Sequence, residues 1–93
     1  PLAANANYWL GKTFYTRGLY DKAAEIFITG YEKYSTSSKT ADSLLGLGFS
    51  LVRLKRPEDA CLAFGQLLNE FPQLASSTKK KAITESKRIG CKG

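Results

Sequence analysis

The 93-residue chain has no histidine. That absence removes imidazole as a general acid or base, Ser–His and Cys–His dyads, and every metal site needing a histidine ligand. Only two cysteines are present, Cys61 and Cys91, too few to build a thiolate zinc site alone. No glycine-rich phosphate loop occurs either. Gly46-x-Gly48 sits inside a helical pattern and lacks the strand that must precede such a loop. The acid pair Glu58-Asp59 follows Pro57, where a helix N-terminus explains it without catalysis. The expectation is a protein that is not an enzyme and that uses no cofactor and no metal. No apolar run approaches the ~20 residues of a membrane-spanning helix, and no secretory signal opens the chain, so membrane insertion is not expected. Pro1 is not a natural initiator, so the sequence is expected to be a processed or excised piece whose targeting segment, if any, has been removed.

What is present is helical patterning. Across residues 43–72, Leu44, Leu47, Gly48 and Leu51 recur at the spacing of one helix face. Lys55-Arg56-Pro57 breaks that pattern, and proline suits the first turn of a new helix better than the interior of an old one. Ala60, Phe64, Leu67, Leu68 and Phe71 form a second stripe, closed by Pro72. The stretch predicts a helical hairpin of about 30 residues.

The same wording occurs upstream. Leu10-Gly11-x-x-Phe14 and Ala23-x-x-x-Phe27 match Leu47-Gly48-x-x-Leu51 and Ala60-x-x-x-Phe64, with both pairs 37 residues apart. This internal repeat resembles the tetratricopeptide repeat (TPR), whose usual period is about 34 residues. The extra residues are placed in the Ser35-Thr36-Ser37-Ser38 linker, where they should disturb no packing. The first copy departs from the family pattern at Ser35, in the terminal proline position, and at Trp9, two residues late. The second has Lys55 where glycine is usual. The predicted fold is all-α: a single domain over 1–93, with repeats at 4–40 and 41–74 and a capping helix at 75–90, forming the C-terminal part of a longer protein.

Helices are expected at about 3–17, from the Asp21 cap to 34, at 39–54, 57–70 and 75–89. Leu10, Gly11 and Phe14 should face the second helix, Gly11 allowing its close approach. On that second helix the inner face is Ala23, Phe27, Gly30 or Tyr31, and Tyr34. Ser38 or Thr40 is the candidate cap of the third helix. The fifth carries few apolar residues (Ala82, Ile83, Ile89) and many cations (Lys79, Lys80, Lys81, Lys87, Arg88), as a solenoid's terminal cap should. No such cap covers the first helix, so a preceding repeat is expected there.

Five of the six net positive charges fall after Gln73, which makes basicity a property of the capping helix. A solvated outer face accounts for this better than phosphate binding, because no aromatic is interleaved with the lysines. Nucleic acid is therefore not the expected partner. The third helix is apolar nearly all round, since Leu45, Phe49 and Val52 add to its inner face, so it must bury two faces. Carrying the TPR pattern over places Tyr8, Lys12 and Tyr15, with Leu45, Phe49 and Arg53, along a concave groove suited to a peptide or helix partner. The alternative is that Leu45 and Phe49 pack against a preceding repeat or an oligomer mate. The Lys/Asn pattern with which some TPR domains grip a terminal carboxylate is absent from these positions.

A narrower resemblance is carried by Tyr8-Trp9-Leu10-Gly11, Tyr20-Asp21-Lys22-Ala23, Tyr34-Ser35-x-Ser37-x-Lys39 and Ala41-Asp42-Ser43-Leu44-x-x-Leu47-Gly48. Over about residues 5–75 the chain resembles the C-terminal TPR domain of the Tol–Pal system coordinator family (YbgF/CpoB) of Gram-negative bacteria, with Lys12 in place of the usual Glu. The resemblance implies a periplasmic adaptor that trimerises through an N-terminal coiled coil and binds a TolA-type Tol component. It also implies a link between outer-membrane constriction and septal peptidoglycan synthesis during cell division. A generic TPR scaffold and a nucleic-acid-binding helical repeat remain the alternatives.

The cysteines bear on compartment. If the capping helix runs antiparallel to the fourth, Cys61 lies level with about residue 85, and Cys91 overshoots by several residues. Gly90 can reverse the chain there. That count is compatible with a disulfide and also with one small buried cysteine and one frayed terminal thiol. The oxidising periplasm implied by the resemblance favours the bridge.

Overall fold

The structure, a computed structural model, describes residues 2–35 and 37–92. Five α-helices follow in order: α1 Leu2–Thr16, α2 Tyr20–Lys33, α3 Thr40–Arg53, α4 Pro57–Glu70 and α5 Ser76–Arg88. No strand occurs among the described residues. Each helix packs on the next, and α1, α3 and α5 also adjoin in a row. The chain is thus two layers, α1–α3–α5 and α2–α4, in the arrangement of TPR hairpins.

The repeat is visible in the backbone. At the end of α1, the Gly18 amide donates to the Tyr15 carbonyl (3.0 Å) and the Leu19 amide to Phe14 (2.9 Å). At the end of α3, Lys55 donates to Val52 (3.1 Å) and Arg56 to Leu51 (3.0 Å). At the end of α5, Gly90 donates to Lys87 (3.2 Å) and Cys91 to Ser86 (2.8 Å). All three are Schellman terminations, which require a left-handed residue in the middle. Gly18 (φ 79°), Lys55 (φ 62°) and Gly90 (φ 82°) supply it. By this criterion α5 ends as the first helix of a hairpin does.

The core is built on two phenylalanines and three glycines. Phe27 of α2 is fully buried and lies on both Gly11 of α1 and Gly46 of α3, where an added Cβ would stand 2.6 Å from its ring in either case. Phe64 of α4 repeats the arrangement on Gly48, whose Cβ would meet the ring at 2.5 Å. Around them are Ala23, Leu44, Leu47, Ala60, Ala63, Leu67 and Ala82. Close backbone approach is therefore what the glycines provide. On α2, Gly30 rather than Tyr31 takes the fully buried position.

Several local expectations are corrected. Leu10 is 46% exposed and is not buried against α2. Ile83 is likewise exposed, leaving Ala82 as the fully buried apolar residue of α5. Asp21 does not cap α2. Leu19 holds that position without a side-chain bond, and the Asp21 carboxylate accepts the Lys22 amide at 2.9 Å within the first turn. Neither Ser38 nor Thr40 caps α3. Thr40 is its first residue, is buried, and donates its hydroxyl to the Tyr34 carbonyl, pinning the start of α3 to the end of α2. Of the linker itself, Ser35 and Ser38 are exposed, and Thr36 lies outside the described residues.

Candidate functional site

The row α1–α3–α5 leaves a cleft of about 330 Å³ in which α3 is the floor and the other two helices are walls. Leu45 and Phe49 of α3 form the floor together with Gly46 and the Phe27 ring beneath it. Tyr8, Lys12 and Tyr15 stand on the α1 wall, and Thr78 and Lys81 on the α5 wall. These residues share a surface for a helical reason. Tyr8, Lys12 and Tyr15 lie at i, i+4, i+7 of α1, and Leu45 and Phe49 at i, i+4 of α3.

A second cleft, about 680 Å³, continues from the first through Tyr15 and Phe49. Its further lining includes Tyr20, Val52, Arg53, Lys55, Glu85 and Arg88. Five of the six groove residues expected from the repeat pattern therefore line one cleft, and Arg53 lies in its continuation. Sequence reasoning missed the α5 wall. The spacing of Thr78, Lys81, Glu85 and Arg88 on one helical face was the available signal, but their net basicity read as a solvated exterior.

The floor is held from below. The Phe49 ring meets Phe64 edge-on, with centroids 5.6 Å apart, and Tyr8 tilts against Phe27 at 6.1 Å. Phe49 thus packs on Phe64 of α4 and also lines the cleft, a contact within the chain that the sequence reading did not foresee. Tyr15 and Tyr20 pack edge-to-face at 5.2 Å, and the Arg53 guanidinium lies 5.5 Å from the Tyr20 ring, a cation–π arrangement. Lys39 Nζ lies 5.0 Å from the Tyr8 ring and 5.6 Å from that of Trp9.

Burial, and secondarily the Asp42 carboxylate, push the Tyr8 phenol above the usual tyrosine range. It therefore stays protonated and can donate a hydrogen bond across the physiological range. Glu85 is held below the ordinary carboxylate range by its hydrogen bonds from the Arg88 guanidinium. Asp42 is paired with Lys39 at 3.9 Å. The cleft thus offers aromatic faces, hydroxyls and cations, and no juxtaposed nucleophile and base.

On the opposite side of the α4–α5 packing, Cys61 and Cys91 lie at disulfide distance, Sγ–Sγ 2.02 Å and Cα–Cα 5.5 Å. The Gly90 turn corrects the overshoot expected from counting along an antiparallel pair. It folds the chain back so that Cys91 meets α4.

The comparisons follow this architecture. Residues 42–73 match the tetratricopeptide repeat family model. The matched segment is the α3–α4 hairpin with Pro72, a third of the chain, and scaffolds of that kind are non-enzymatic. The first copy, which departs from the pattern at Trp9 and Ser35, lies outside the matched segment. Comparison with curated proteins found no match.

Proposed function

We propose that this chain is a protein–protein interaction adaptor that takes a segment of its partner along the α1–α3–α5 face. The single observation that carries the reading is the cleft itself, in which Tyr8, Tyr15 and Phe49 are half-buried and line a trough floored by apolar side chains. Aromatic anchors in such troughs supply most of the binding energy at protein interfaces. The finer assignment is the periplasmic Tol–Pal system, with a TolA-type component and the septal peptidoglycan-synthesis machinery as partners in cell division. It is supported by the residue patterns shared with that family, and by a cysteine pair at bonding distance, which suits an oxidising compartment.

The test is titration of the purified TolA-type component into the oxidised protein by calorimetry. Phe49→Ala and Tyr15→Ala are each expected to weaken binding by ~1–3 kcal/mol, as loss of a buried aromatic anchor does, with far-UV circular dichroism retained. Unchanged binding per folded molecule would place both side chains in the core alone. No binding by the parent protein would remove the Tol–Pal assignment and leave the groove to another partner.

A further inference from the structure

The two layers differ in the sign of their charge. Helices α2 and α4 carry six of the eight acidic residues, Asp21, Glu25, Glu32, Glu58, Asp59 and Glu70, against two lysines. Helices α1, α3 and α5 carry seven basic residues against Asp42 and Glu85. Most of this excess lies on α5, five basic residues against Glu85, while Lys12 of α1 and Arg53 of α3 add one cation each to the same layer. The excess belongs to the face that holds the cleft, to which α5 adds Lys80, Lys81 and Arg88.

Within the cleft the carboxylates are already engaged, Asp42 by Lys39 and Glu85 by Arg88. Lys12, Arg53, Lys55 and Lys81 line the clefts with no carboxylate partner within ion-pair distance among the described residues. Like charges gathered beside low-dielectric aromatic walls repel one another more than they would in open water. An oppositely charged occupant relieves that repulsion at each of them.

We infer that the occupant of the groove is an acidic peptide segment of the partner. Its carboxylates meet Lys12 on one wall and Lys81 on the other while an apolar side chain rests on Phe49. The inference rests on the groove reading above and adds the partner's chemistry. Peptide is favoured over nucleic acid because the floor is apolar, with partly buried Leu45 and Phe49 lying between the two walls. Single-strand binding also uses aromatics interleaved with the cations, and none is interleaved with Lys79, Lys80 and Lys81.

Selection from a random 12-residue peptide library on the oxidised protein tests this. Sequences retained by the parent, and not by the Lys12→Gln/Lys81→Gln double variant, should be enriched in Asp and Glu. For a selected peptide, replacing Asp and Glu by Asn and Gln should weaken binding about tenfold or more, and affinity should fall between about 50 and 300 mM salt as screening sets in. Enrichment of neutral or basic peptides whose binding is still lost in Phe49→Ala would overturn the acidic occupant and keep the groove. Peptides indifferent to Phe49→Ala, or no peptide retained over the double variant, would overturn both. Tighter binding of a 12-nucleotide oligo-dT than of any selected peptide would make the face a nucleic-acid surface and overturn the inference.

Discussion

Leu10 and Leu47 occupy the same place in the two copies of the repeat, 37 residues apart, yet Leu10 is 46% exposed and Leu47 8%. One position earlier, copy two has Gly46, onto which α2 presses the Phe27 ring. Copy one has Trp9 there, 57% exposed. The side chains obey one pattern, but burial is supplied by the neighbour, and α3 has α2 before it while α1 has no helix on that side among the described residues. In a solenoid each unit is stabilised by its own hairpin plus the interface with the next. The same leucine is therefore worth different amounts at the end of the stack and in its middle. Phe27 sits on the interface that makes the difference, because it touches both α1 and α3, whereas the contact of Phe64 with backbone glycine is on Gly48 alone.

The sharpest way to break this comparison is to remove the two rings in turn. Phe27→Ala should cost about 3–5 kcal/mol, the range for a buried phenylalanine. It should exceed Phe64→Ala, because it opens a cavity shared by both hairpins. Urea unfolding followed by circular dichroism measures both; equal losses would show that the inter-hairpin interface carries no extra stability.

The next largest effect concerns the other end of the stack. Helix α5 has one fully buried apolar residue, Ala82, so its attachment depends on the link between Cys61 and Cys91, which are 30 residues apart. A closed loop of that length contributes roughly 3–4 kcal/mol in the chain-entropy treatment. Cys91→Ser should lower stability by about that amount, and amide exchange should rise in α5 before it rises in α2 or α3. Uniform exchange across the chain would mean that α5 is held by its packing. Two free thiols by mass spectrometry, after expression in an oxidising compartment, would sink the bridge and much of the argument for the proposed periplasmic compartment.

The smallest effect separates the two turns. Gly18 and Lys55 hold the same left-handed position in equivalent Schellman ends, but only glycine adopts it without a Cβ penalty. Lys55→Gly should stabilise the protein by about 0.5–1 kcal/mol, and Gly18→Ala should destabilise it by about as much. Thermal melts of the two variants give the signs. A destabilised Lys55→Gly would show that the lysine side chain, which lines the second cleft, contributes more than its backbone costs.

Much of this architecture is readable from residues. Gly11, Gly48, Ala23, Ala60 and the paired phenylalanines repeat at one spacing, and a repeat whose apolar face cannot be buried alone must stack. Pro57 set the start of α4 to the residue, because proline's fixed φ and missing amide suit only a helix's first turn. The α1 and α3 residues that line the cleft were expected from the resemblance to the TPR pattern, carried over residue by residue. What the residues left unread was pairwise. Asp21 and Thr40 have the chemistry of caps, but whether a hydroxyl bonds its own helix or the end of the previous one depends on where that helix lies. Phe49 was read either as a groove residue or as packing against a preceding repeat or an oligomer mate, and its contact with the Phe64 ring of α4 belongs to neither reading.

The charge pattern shows the division most plainly. Sequence by itself determined that the cations crowd the last twenty residues and that helical hairpins repeat before them, since composition and periodicity are properties of the chain. Only the tertiary structure decided that Lys81 and Arg88 border the adjoining clefts lined by Lys12 and Arg53, and that six of the eight acids lie in the other layer. Which face a charged helix presents is fixed by the few apolar residues it buries. In α5 that residue is Ala82, whose place against the core turns Lys81 and Glu85 toward Phe49.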